Sequence, residues 1–155
     1  KTYDFIPFFK REGEITPSKS STIGNFCFSS EFSKYLFLLL TNSSLFYYWW
    51  ITRSDEFHVL SSDFTDFGIN DLNYFQRHSN EVVNLAKELM KDYQIHSIRS
   101  SGNAGGRKIS FDIFFPRKSI AIIHKIDDLV AEAYKFDNKI NDFIKNYDIE
   151  FRTDE

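Results

Sequence analysis

The residues of this chain that could do chemistry are few and dispersed. His58, His78, His96 and His124 are not spaced as two imidazoles one helical turn apart with an acid between them, the arrangement that sets two ligands on one helix face for zinc. Cys27 is the single cysteine and lies between Phe26 and Phe28, a context that reads as a strand with a buried, inert thiol. No serine stands in the strand-turn-helix context of a nucleophile elbow. Neither a catalytic residue nor a metal site is expected. The stretch "SSGNAGGRK" has the glycines of a phosphate cradle followed by Arg107 and Lys108. Such a cradle needs a helix after it, so that amide groups and dipole face the anion, and here an alternating strand follows. Two readings stay open: a solvent-exposed hairpin tip, or a finger that reaches a polyanion.

The elements that must position these residues are read from periodicity and turn chemistry. "YDFIPFF" and "STIGNFCF" read as strands. Ser29 and Ser30 offer N-caps to a helix in which Phe32, Tyr35, Leu36 and Leu39 recur at helical spacing. Asn42, Ser43 and Ser44 interrupt it and cap a second helix, "SLFYYWWIT". A short extended piece follows at Phe57 to Leu60, then a cap at Ser61 or Ser62. Leu72, Phe75, Val82, Val83, Leu85, Ala86, Leu89 and Met90 predict the longest helix, over 71–93. "IHSIRS" and "RKISFDIFF" form a hairpin around a loose "SGNAGG" loop, ended by Pro116. "SIAIIHKIDDLVAEAYKF" and "NKINDFIKNYD" are two amphipathic helices, closed by "IEFR".

The run "FYYWW", residues 46–50, sends rings around the whole helical circle, so both sides of that helix must be covered. At 155 residues the chain fits one domain able to bury roughly 70% of its unfolded surface. Aromatics form 18% of it and glycine and proline are scarce, which argues against disorder. One cysteine makes no internal disulfide, so a reducing, cytoplasmic setting is expected. The longest apolar run, "YLFLLL", is far short of the roughly 20 residues that span a bilayer. The start at Lys1 reads like the middle of a longer polypeptide. Net charge is −3, which favours no nucleic acid, but its distribution is uneven: residues 95–118 carry +4 and residues 119–155 carry −4. A dipolar molecule of this kind can turn a basic face to DNA.

Four segments together resemble one family. "LLLTNSSLFYYWWITRSDEFHVL" is similar to the "LLNSSLFYWYW…SDGRHL" signature of target-recognition domains in adenine-specific DNA methyltransferases of restriction-modification systems. "LSSDFTDFGI" is similar to "L…DIENFPI", "FPRKSIAIIHKIDDLVAEAYKF" to "YPKKSKPIIDEIDKLLAEHYGF", and "NDFIKNYDIEFR" to "LDFIINYDIKYR", in the same order over roughly residues 20–152. Glu56 and Phe57 depart from it, standing where the family often has Gly and a basic residue.

The resemblance implies that residues 1–155 are one DNA-reading domain, a C-terminal fragment of a type II, nuclease-fused or free-standing methyltransferase. S-adenosylmethionine and the flipped adenine would belong to an upstream catalytic domain, and this fragment would have neither cofactor nor activity. The expected fold is α+β, a small twisted, mostly antiparallel sheet packed with several helices. Expected partners are double-stranded DNA and the upstream methyltransferase domain, with no membrane. Residues expected at DNA are Arg53, Asp55 and His58 after the aromatic helix, Arg99, Asn103, Arg107 and Lys108 on the hairpin, and Lys118 at the mouth of the next helix. Some rings of the aromatic run are expected to fill this domain's own core, and Tyr47, Trp49 and Trp50 are expected to pack against the neighbouring domain. The alternative is a module that joins subunits or domains of a restriction-modification complex.

Overall fold

Short polar side chains decide where the helices begin. The computed structural model describes residues 26–54, 59–104 and 107–152. Ser30 is extended (φ −141°, ψ 156°) and its Oγ accepts the Ser33 amide at 3.1 Å, starting α1 (Glu31–Thr41). At its other end Asn42 Nδ2 donates to Leu38 O at 2.8 Å. Ser43 Oγ donates to Leu40 O at 2.7 Å and accepts the Phe46 amide at 3.2 Å. Two residues thus close one helix and open the next, α2 (Ser44–Ile51), as the polar trio predicts.

Several local expectations are corrected. Helix α3 (Ser61–Asp66) is capped by neither serine: Leu60 holds the N-cap position and Asp63 Oδ2 reaches back to accept its amide at 2.7 Å. The single helix expected over 71–93 is two, α4 (Leu72–Arg77) and α5 (Ser79–His96). They break at His78 (φ −101°, ψ 26°), whose Nδ1 lies 2.9 Å from Tyr74 O and whose ring stacks on Tyr74. "YDFIPFF" lies outside the described residues, as does most of "STIGNFCF"; residues 26–28 of the latter have no regular structure. Cys27 is exposed rather than buried. Phe26 and Phe28 on either side of it both lie against Phe37, with centroids 4.9 and 5.1 Å away. Of the extended piece at Phe57 to Leu60, only Val59 and Leu60 are described, and Leu60 is extended (φ −93°, ψ 158°).

The hairpin forms as expected. Strands β1 (Ile98–Ala104) and β2 (Arg107–Ile113) pair antiparallel from Ile98↔Ile113 to Ala104↔Arg107. A 3-10 turn, Pro116–Ser119, leads into α6 (Ile120–Tyr134), followed by α7 (Asn138–Asn146) and α8 (Ile149–Arg152).

The fold is α+β, with most described residues helical and one two-stranded antiparallel sheet among them. Helices α1, α5 and α6 enclose the core, in which Leu39, Phe75, Val82, Leu89 and Ile126 are fully buried. Helix α2 crosses onto α6 and α7. No described helix is long and apolar enough to cross a membrane.

Candidate nucleic-acid interface

Helix α5 anchors both feet of the hairpin. Ser97 Oγ donates to Gln94 O at 2.8 Å where β1 departs. After β2, Phe114 packs on the core, Pro116 opens the 3-10 turn, and buried Ser119 donates its hydroxyl to Asp92 Oδ2 of α5 at 2.5 Å. His96 Nδ1 meets the same Asp92 oxygen at 3.3 Å. Beyond these feet the strands pair with each other and rest little on the helices, so the ribbon extends roughly 23 Å for its seven-residue strands.

The register sorts the expected DNA-contacting residues. Arg99 lies opposite Asp112 and pairs with it, Nη1 to Oδ2 at 3.2 Å, with the carboxylate almost enclosed. Asn103 is exposed and sits opposite Lys108, while Arg107 sits opposite Ala104 at the tip. The hairpin therefore gathers Arg99, Asn103, Arg107 and Lys108. Exposed Lys118 lies just past its second foot, with Nζ 5.3 Å from the Phe115 ring centroid. Arg53 belongs elsewhere. It is exposed at the far end of α2, 5.3 Å from the Trp49 ring, about 12 Å along the helix axis from the Asn42–Ser43 break. Asp55 and His58 lie outside the described residues.

The aromatic run divides by side. Phe46 and Trp50 are 1% and 2% exposed, inside this chain's own core, so Trp50 is not the interdomain residue expected of it. Tyr47, Tyr48 and Trp49 are half-buried. Tyr48 packs edge-on against Phe143 and Tyr147, Trp49 meets Phe67, and Tyr47 carries the Arg152 guanidinium 5.0 Å from its ring centroid. Among the described residues, these rings meet Phe67 after α3, Phe143 of α7, Tyr147 after it, and Arg152 of α8, all of the same chain.

One buried polar node was missed from the sequence. Asp127, 3% exposed on α6, accepts the Ser44 amide at 2.7 Å and the Ser44 hydroxyl at 2.6 Å. Arg152 donates to Ser44 Oγ and, at 3.3 Å, to Lys145 O and Tyr147 O. Burial raises the Asp127 carboxyl to about 6, against the pull of the Ser44 hydrogen bonds and of the Arg152 charge. Burial likewise lowers Arg152 from its ordinary value. Ser44 Oγ bridges the two side chains, and burial is the largest cause of both shifts. His124, one turn before Asp128 on α6, is lowered by burial and then by Lys145 and Arg152. Its Nε2 is buried with no hydrogen-bond partner among the described residues. An acid inside a helix that is otherwise apolar on that side, "IIHKIDDLVA", was the available signal for this node.

No family model, curated protein or solved structure matches this chain.

Proposed function

We propose that this chain is the target-recognition domain of an adenine-specific DNA methyltransferase of a restriction-modification system. On this reading it reads a sequence in duplex DNA and positions the target adenine for a separate catalytic domain. The observation that carries the reading is the node Ser44–Asp127–Arg152. Each member comes from one of three segments through which the resemblance runs, and each is identical in the family strings. On this reading the three likenesses meet at one place in the fold, which supports their belonging together. The hairpin supplies an element suited to the task, because the major groove admits a two-stranded ribbon and this one carries Arg107 and Lys108 at its tip.

The second reading, a module that joins subunits, draws on exposed apolar side chains. Ile95 is 65%, Ile98 55% and Phe143 55% exposed. An apolar cleft of about 260 Å³ also opens between Phe28, Phe37, Phe64 and Phe67.

Titration of a labelled duplex pool across a salt series separates the two. DNA recognition predicts affinity that falls by roughly 0.9 log units per log unit of salt for each phosphate contact. Replacing Arg107 and Lys108 together by alanine should weaken binding to all duplexes alike and flatten that slope by up to about 1.8. Affinity independent of salt, or unchanged in the double variant, would favour the joining module.

A further inference from the structure

Strand pairing makes the ribbon two-faced. In an antiparallel ladder, directly opposed positions share a face and successive positions alternate. Positions 99, 101 and 103 with their partners 112, 110 and 108 therefore form one face: Arg99, Ser101 and Asn103 against Asp112, Ser110 and Lys108. Every position on it is polar or charged. The opposite face holds positions 98, 100, 102 and 104 against 113, 111, 109 and 107, and it includes Ile98, Gly102, Ala104, Ile109, Phe111 and Ile113. Along the first face the Arg99–Asp112 ion pair at 3.2 Å occupies the end near α5. Ser101, Asn103 and Ser110 beyond it are all exposed.

We infer that this polar face, through Ser101, Asn103 and Ser110, reads base edges in the major groove of duplex DNA, and that these three residues set sequence preference. The inference rests on the function proposed above and adds the residues that would exercise it. Their chemistry fits base reading. An asparagine amide donates and accepts at once and pairs bidentately with adenine, and a serine hydroxyl takes either role toward several base edges. Serine and asparagine can also hold phosphates, so what distinguishes base reading is a change of sequence preference, and not of overall affinity, when they are replaced. The Arg99–Asp112 pair, with Asp112 nearly enclosed, fixes the level from which the three side chains extend. Ser100 offers the same hydroxyl one position away, on the other face, which makes it an internal control.

The test is selection of bound duplexes from a randomised pool by the 155-residue chain and by Ser101→Ala, Asn103→Ala, Ser110→Ala and Ser100→Ala. Helicity and melting are checked for each variant. Asn103→Ala is expected to reduce discrimination at one base pair by roughly 5- to 150-fold, and the two serine variants on its face by less. Ser100→Ala is expected to select the parental sequences. A parental preference that survives all three substitutions, or that Ser100→Ala alters as strongly, overturns the inference while leaving DNA recognition standing. Duplex binding with no sequence preference also overturns it. No salt-dependent duplex binding at all removes the proposed function, and the inference with it.

Discussion

Asp127 keeps a carboxylate where a leucine would pack, and Ser44 answers it with two hydrogen bonds at 2.7 and 2.6 Å. The consequence is a dependence of stability on pH. The folded carboxyl titrates near 6, above its usual 3.8, so the stabilisation it supplies is complete below about pH 4 and is lost as pH rises through about 6. Asp127→Asn abolishes that titration. Denaturant unfolding at pH 4, 5.5 and 7 should show the parent losing on the order of 2 kcal/mol relative to the variant over this range. A difference that stays flat with pH would reject the assignment. Residue-scale features were the least legible in the sequence. Cys27 and Trp50 each have apolar neighbours in the chain, yet one is exposed and the other buried, because exposure follows from which direction a side chain leaves the backbone. The burial of Asp127 was equally hidden, since its partners lie 83 positions earlier and 25 later.

The elements were read more successfully, because caps and periodicity are local. Ser30 and Ser43 cap the helices they precede, and the hairpin occupies its expected place. The break at His78 escaped because apolar residues continue in helical spacing on both sides of it, so periodicity alone could not reveal the changed backbone angle. Helix α6 stops where periodicity places it, though by an unusual residue: Lys135 adopts φ 58°, and the Phe136 amide bonds back to Ala131 O at 2.9 Å. A lysine in that left-handed conformation bears a steric cost that glycine avoids. Lys135→Gly is therefore expected to raise stability by about 1 kcal/mol, seen as a higher melting temperature. An unchanged or lower one would show that the side chain repays its strain.

At the scale of the whole molecule, α1, α5 and α6 share one interior, and Leu89 is completely enclosed in it. Leu89→Ala should cost about 2 to 5 kcal/mol and lower the melting temperature by roughly 5 to 15 °C, measured by far-ultraviolet circular dichroism. A shift below a degree or two would mean that the core can collapse around the loss. The charge imbalance between the hairpin region and the acidic end was legible in the sequence, and the α+β class was expected from the helix and strand patterns together with the resemblance. Arg99 follows from the hairpin's own register, whereas the place of Arg53 at the end of α2 depends on how that helix packs and did not follow from local pattern. The node that joins Ser44 to Arg152 has a temporal implication as well. These partners are 108 positions apart, so a nascent chain halted before that arginine emerges would leave the Ser44 hydroxyl without the guanidinium that binds it.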